Sequence, residues 1–591
     1  MDLDARRELV FEAGRSIHDA FVKYNDNFGR ITRRAKVRFE NRDWSGAERD
    51  LGERIELYTK SVERTVTALS RQLGTLGIER AVWHAVKTSF GERVGGIADG
   101  AFCKTFFNSV SRQLFHTVGT DAETEFVDIR FNIRDAQRHA IDHDSYLNWG
   151  SLATTIQNLL QSFAFEVGYV DLARDETRIA DQLRDYAARH VQNSELLRLD
   201  FLPAVFYQST HAYLIGQAFW PEHDAPLVIE LKHEEHGIEV GQIMMSVDDI
   251  SILFGFTRSY FFVDIEPVEG AVYFVNSILP HKPIDELYTV LGRVRQGKTE
   301  RYRQFTSHLT NCQDHFVTAP GDRGLVMIVF TLPSYDLVFK VIRDRFGFPK
   351  SSTRDDVMEK YQFVFKHDRA GRLIDTQEFT HIGFPLDKFD PSVREELLTE
   401  AAESARIDGK LLVIRHLYAE RRLRPLNLFL RECSRAAGDA AIVDYGQAIK
   451  DLAQANIFPG DLLLKNFGVT RHSRVIFYDY DELCLVTDCH FREVPESRFD
   501  EDDMRPRPWF YVNGNDVFPE EFIRFLGLDD GYRKTFMRVH GDLLTVGYWR
   551  NLKNQHLDRA HHEKATGFKP GPGSRDTGSS PTRSQRAASG H

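Results

Sequence analysis

The stretch FPGDLLLKNFGVTRHSRVIFYDYDEL (residues 458–483) decides the fold. It sets Asp461 five positions before Asn466, then runs through the apolar VIFY to Asp479 and Asp481. Phosphoryl transfer from ATP asks a protein mainly for positioning, a cation on the phosphates, and a carboxylate beside the attacking hydroxyl. An Asp, an Asn five positions later and a further Asp on the next hairpin is the order in which protein-kinase catalytic loops supply these groups. Asp461 is thus the candidate catalytic acid. Asn466 and Asp479 are candidate Mg²⁺ ligands, with Mn²⁺ as an alternative cation, because an amide oxygen and a carboxylate are hard donors. Asp481 adds a carboxylate where many kinases have the glycine of D-F-G, a place from which it could orient water or hold a second cation. The competing reading is a set of surface acids around a hairpin.

Upstream lie the parts such a site needs. LVMIVFTL (325–332) and LVFKVI (337–342), joined by Pro333-Ser334-Tyr335-Asp336, read as a β-hairpin. Lys340 stands among Val338, Phe339, Val341 and Ile342. Either it faces solvent on an edge strand, or it is buried and needs an anion. That anion is a nucleotide phosphate or a helix carboxylate, for which Glu359 has suitable spacing. The loop Ala319-Pro320-Gly321-Asp322-Arg323-Gly324-Leu325 places two glycines before the strand. It suits a turn whose N–H groups cover phosphates, and equally an ordinary hairpin turn.

The 591 residues suggest two to four domains at roughly 150 residues each. Within them, residues 1–312 read as one unit, helical to about 195 and with strands at about 200–285. APLVIELKHEEHGIEVGQIMM is expected to form two strands and RSYFFVDIEPVEGAVYFV another pair. A second unit spans 313–562, and 563–591 is too polar to bury a core and is expected to be disordered. The polar, aromatic segment 496–530, with Arg505, Arg507, Trp509 and Phe510, is a candidate for gripping a folded substrate. HEEH (233–236) lacks the zinc-protease interval, while His139, His143 and the basic RITRRAKVR read as solvated helix faces.

A formal net charge of −11 argues against a generic nucleic-acid or anionic-membrane binder. No apolar run reaches the ~18 residues that span a bilayer. The opening residues lack a secretion signal's basic-then-apolar order, and the five cysteines show no CxxC spacing. A cytoplasmic protein with reduced thiols is expected.

Taken together, APGDRGLVM, VFKVI, HDRAGRLIDTQEF, LLVIRHLYAERRLRPLN, NIFPGDLLLKNFGVTRHSRVIFYDYDE and DVFPEEF resemble the bacterial isocitrate dehydrogenase kinase/phosphatase family. The resemblance covers nearly the whole chain and fades after about 555. It implies an α+β fold in which a bilobal protein-kinase-like domain follows a mainly helical α/β regulatory domain. It also implies a bifunctional enzyme. With ATP such an enzyme phosphorylates, and thereby inactivates, a serine of NADP-dependent isocitrate dehydrogenase, and it removes that phosphate again. This controls flux between the citric acid cycle and the glyoxylate bypass. A homodimer responsive to AMP and other metabolites is implied too. The family's nucleotide loop falls on residues 319–325 and its ATP-contacting lysine on Lys340. The kinase catalytic acid falls on Asp461, the metal ligands on Asn466 and Asp479, and an acid implicated in phosphate removal on Asp375. Adenine is expected against Tyr418 to Arg422. FPGD replaces the usual H-R-D, so control by activation-loop phosphorylation is not expected. On the residues alone, a small-molecule kinase or a non-catalytic nucleotide-binding module remains open.

Overall fold

The computed structural model describes residues 3–127, 141–191, 194–255, 257, 260–348, 350, 352–367, 370–495 and 510–565. The chain starts with four helices: α1 (Leu3–Glu40), α2 (Trp44–Leu73), α3 (Arg80–Arg93) and α4 (Gly100–Phe115). Their apolar stripes meet in an aromatic-rich core where Phe102 packs edge to face against Phe21 and Tyr24, and Phe106 against Phe21. The basic stretch near residue 30 lies on α1, where Arg34 and Arg38 both pair with the buried Asp50 of α2.

After β1 (Asp144–Leu147) come α5 (Leu152–Ser162) and α6 (Leu172–His190). The strands β2 (Arg198–Phe201), β3 (Phe206–Gln208), β4 (His211–Trp220), β5 (His223–Glu234) and β6 (Gly237–Met244) then complete a six-stranded antiparallel sheet in the order β1-β2-β4-β5-β6, with β3 on β4. Alternate residues of β4 face opposite ways. Leu214 and Ala218 pack under α5 and α6, whereas Tyr213 and Ile215 face a second core. That core is closed by α7 (Val247–Leu253), α8 (Val268–Ile278) and α9 (Ile284–Val290), and α10 (Val294–Asn311) follows.

One strand pair expected here is absent. EPVEGAVYFV belongs to α8, and Phe262 contributes only an isolated bridge to Tyr207. Val268, Ala271, Val272, Val275 and Ile278 fall on one buried face at helical spacing. The helix is capped from a distance: the Val268 and Glu269 N–H groups donate to the Asp99 carboxylate at 2.9 Å.

The second half is bilobal. Its small lobe is a sheet in the order β10-β12-β9-β8-β7, with β11 beside β12. The strands are β7 (Val317–Thr318), β8 (Met327–Thr331), β9 (Leu337–Ile342), β10 (Thr376–Pro385), β11 (Ala405–Asp408) and β12 (Leu411–Arg421). Helices α11 (Arg354–His367) and α12 (Pro391–Glu400) pack against it. Phe305 and Leu309 of α10 sit in the same core, so the two halves share packing where they join.

The large lobe holds β13 (Arg424–Pro425), α13 (Leu426–Glu432), α14 (Arg435–Gln454), β14 (Ile457–Phe458), β15 (Phe467–Val469), β16 (Val475–Phe477), β17 (Cys484–Leu485), β18 (His490–Phe491), β19 (Asp516–Val517), α15 (Phe522–Phe525), α16 (Asp530–His540) and α17 (Val546–Ala565). Helix α17 continues past the 562 boundary, and the tail from 566 lies outside the described residues. So do Arg505, Arg507 and Trp509 of the candidate gripping segment, and His139; Phe510 is half-buried. Among the described residues no helix is long and apolar enough to cross a membrane.

Candidate active site

The cleft between the lobes is built around Lys340. Strand β9 lies inside the small-lobe sheet, between β8 and β12, so Lys340 is buried rather than on an edge. Its Nζ is 2.7 Å from Glu420 Oε2 on β12, and it donates to the Tyr478 carbonyl at 2.7 Å. The Glu420 Oε1 atom accepts from the Thr376 hydroxyl at 2.8 Å. Burial pushes the Glu420 carboxyl up, with Lys340 opposing it.

Glu359, one of the anions the sequence left open for Lys340, is not its partner. Val357, Tyr361 and Val364 are the buried face of α11, which turns Glu359 out to solvent. Tyr361 instead stacks on Tyr418 with ring centroids 4.0 Å apart. The counterion therefore comes from the neighbouring strand. A charged residue in the apolar run LLVIRHLYAER was as visible a signal as Lys340 itself.

On the large-lobe side, Gly460 has φ +78 and leads into the loop of Asp461. Asp461 Oδ1 accepts from the Leu463 N–H at 2.9 Å, and Asn466 Nδ2 donates to the Asp461 carbonyl at 3.3 Å. The pairing of Phe467 with Phe477 across β15 and β16 brings Asn466 opposite the segment leading to Asp479. The Tyr478 N–H donates to the Asn466 carbonyl at 3.1 Å. Burial raises the Asp461 carboxyl, with the Glu482 and Asp479 charges adding to the effect and the Leu463 N–H opposing it. Asp461, Asn466, Asp479 and Lys340 thus converge through Tyr478 on one cleft.

Asp481 joins them. Burial first, and then Asp479, pushes its carboxyl up to about 8 against the pull of Lys350 and Lys340. Its Oδ1 is buried without a hydrogen-bond partner. An unspent acceptor beside a second carboxylate and an amide suits a hard cation that also takes phosphate oxygens. Among the described residues no three or more His, Cys, Asp or Glu side chains could hold a metal by themselves. A cation here would need the Asn466 amide and further oxygens from outside the protein.

The glycine-rich loop is exposed at 320–323, and Asp322 is within Coulomb range of Tyr478. Gly321 takes φ +135, and a Cβ on Gly324 would come within 2.6 Å of the Met327 carbonyl. Arg323 faces away from the cleft and pairs with Glu396 and Glu400 of α12. In the segment expected to meet adenine, Tyr418–Glu420 lie between β9 and β10, so their backbone is engaged on both sides, and the Arg422 N–H donates to the Asp336 carbonyl at 3.0 Å.

Asp375 meets the first half of the chain. It accepts from the Tyr260 hydroxyl at 2.8 Å and lies 3.6 Å from Arg301 Nη1, both from the first half of the chain. Arg301 also holds Asp285, and Glu286 binds Arg421 at the end of β12. Nothing in the local sequence marks Tyr260, Arg301 or Glu286, because their partners lie far away in the chain.

Residues 14–313 match the family model described as isocitrate dehydrogenase kinase/phosphatase (AceK), regulatory domain, and residues 314–569 match that of the kinase domain. Similar curated proteins named isocitrate dehydrogenase kinase/phosphatase include one from Anaeromyxobacter sp. (strain Fw109-5), 44% identical over 91% of this chain and 94% of its own length. Another, from Xanthomonas campestris pv. campestris (strain 8004), is 43% identical over 93% of this chain and 94% of its own.

Proposed function

The chain belongs to the isocitrate dehydrogenase kinase/phosphatase family, and from that premise we infer that it is a protein serine kinase and phosphoprotein phosphatase acting on isocitrate dehydrogenase. It uses ATP to phosphorylate and inactivate that enzyme, and it reverses the modification. Carbon is thereby divided between the citric acid cycle and the glyoxylate bypass. The observation that carries the chemistry is the convergence of Lys340 from one lobe with Asp461, Asn466 and Asp479 from the other through the Tyr478 backbone.

In this reading the backbone of residues 319–325 and the Lys340 ammonium position the triphosphate. Asn466 and Asp479 would hold Mg²⁺, which neutralises phosphate charge when bound. Asp461 accepts the serine proton, and its burial near Asp479 and Glu482 makes it a stronger base than a free aspartate. Asp481, whose carboxyl burial and Asp479 push up, would give up its proton to a second cation bound there or orient water for the reverse reaction. Asp375 remains the residue on which phosphate removal is proposed to depend. It adjoins Thr376, whose hydroxyl bonds Glu420, the partner of Lys340.

A cavity of about 640 Å³ lies between the two halves, lined by Lys282, His281, Arg421, Arg422, Arg471 and His472 among others. Its lining is mixed: Glu286 and Asp336 already pair with Lys282, Arg421 and Arg422, while Arg471 and Arg474 add further positive charge, and on those two arginines we assign AMP to it as effector. Homodimerisation belongs to the same proposal.

Incubation with ATP, Mg²⁺ and isocitrate dehydrogenase should produce phosphoserine and loss of dehydrogenase activity. Replacing ATP by ADP should then reverse both. Phosphate transfer to sugars or amino alcohols without phosphoserine would replace this reading by a small-molecule kinase. No transfer at all, with nucleotide still bound, would leave a regulatory module.

A further inference from the structure

Lys350 links two parts of the site that the transfer scheme treats separately. The Gly347 N–H donates to the Leu325 carbonyl of the glycine-rich loop at 3.2 Å, and the Lys350 N–H donates to the Gly347 carbonyl at 3.0 Å. The Lys350 ammonium is hydrogen-bonded to the Glu482 carboxylate of the large lobe. Glu482 packs on the catalytic loop, since a Cβ built on Gly460 would come within 2.3 Å of the Glu482 carbonyl oxygen. A small-lobe lysine therefore reaches the large lobe at the acidic stretch that holds Asp479, Asp481 and Glu482. It lies within Coulomb range of all three. The contact it makes there is with an acid whose side chain is 46% exposed. Such solvent-screened pairs are weak and exchange readily for a more highly charged partner. A phosphoryl group next to Asp479 would be that partner, and a compact ammonium is a good donor to its oxygens.

We propose that Lys350 is a second phosphate-gripping residue, which leaves Glu482 to bind the phosphoryl group passing between nucleotide and protein serine. The assignment rests on the reading of this cleft as the site of transfer. Lys340 holds the nucleotide from the floor of the cleft, and Lys350 reaches the outermost phosphate from its lip. That group is the γ-phosphoryl of ATP in one direction and the phosphoserine in the other, so Lys350 serves both activities.

The test compares Lys350→Met and Lys350→Arg in the full chain, measuring ATP and ADP affinity with Mg²⁺ and the single-turnover rate in each direction. Lys350→Met should weaken ATP about tenfold or more, the worth of a hydrogen bond to a charged group. It should leave ADP within about twofold, and it should slow both reactions. Lys350→Arg should recover most of each loss. Equal weakening of ATP and ADP, as a merely structural lysine would give, overturns the assignment, and so does no change in either. If Lys350→Met does not fold, Glu482→Gln decides. It frees the ammonium and should tighten ATP relative to ADP, and an unchanged ratio overturns the proposal. Asp461→Asn separates the two readings. If it leaves transfer to isocitrate dehydrogenase intact, the reading of the cleft fails. If it abolishes transfer while the Lys350 variants behave as wild type, only the lysine assignment fails.

Discussion

Asp481 keeps its proton up to about pH 8, although an ordinary aspartate loses it near 3.8. A cation bound at this carboxylate must displace that proton, so metal affinity is linked to pH. Below about pH 8 the affinity for Mg²⁺ in the presence of ADP should rise with pH, by up to about tenfold per unit. Calorimetry in buffers of different ionisation heat should register proton release. Asp481→Asn should abolish both effects. The sign for folding is the opposite. The folded state holds a proton that the unfolded chain has given up, so stability without metal falls as pH rises from about 4 to about 8. In thermal melts, Asp481→Asn should flatten that fall. Lys340 and Glu420 give a second prediction. Glu420→Ala takes the nearest carboxylate from a buried ammonium, which should cost about 3–5 kcal/mol in denaturant titrations. These residues differ in how legible they were. Asp461, Asn466, Asp479 and Lys340 stand out in sequence because spacing and an out-of-place charge are local properties. Glu420 carried the same signal on the next strand. The proton affinity of Asp481 did not, because it comes from burial that only the folded cleft creates.

Among the elements, α11 shows how a plausible spacing can point the wrong way. Glu359 is two residues from the buried Val357 and from Tyr361, and on a helix that is the far side. Glu359→Gln should therefore leave stability within about 0.5 kcal/mol and the KM for ATP unchanged. Tyr361→Ala should remove the stack on Tyr418 and cost about 3–5 kcal/mol. Chemical denaturation of the two variants side by side checks the contrast. The hairpin of 325–342 was readable because two apolar runs flank a turn marked by Pro333 and Asp336. EPVEGAVYFV was not. A short run of Val, Ala, Tyr and Phe satisfies strand propensity and helical periodicity alike. What decides it is the cap from Asp99, almost 170 residues upstream of Val268 and invisible to any local rule.

At the scale of the whole molecule, the two halves are joined by buried charge as well as by chain. Glu286 binds Arg421 where the small-lobe sheet ends, and Lys282 lies 3.2 Å from the same carboxylate. Burial opposes the charge on Glu286, but Lys282, Arg421 and Arg301 outweigh it and hold its pKa down. Glu286→Gln should remove the buried anion between Lys282 and Arg421 and cost about 3–5 kcal/mol. In calorimetry it should split one cooperative transition into two, whereas two independently stable halves would melt separately in the wild type as well. None of this could be read from the chain, because a domain interface has no periodicity. The contact between Tyr260 and Asp375 has one more consequence. A truncation that begins at the kinase half would strip Asp375 of its phenol and its guanidinium, and would strip the sheet end of its acid. The catalytic half is therefore not an autonomous module that borrows a regulator. Its first half is part of its scaffold, and dissecting the protein at that seam would remove the footing on which the chemistry stands.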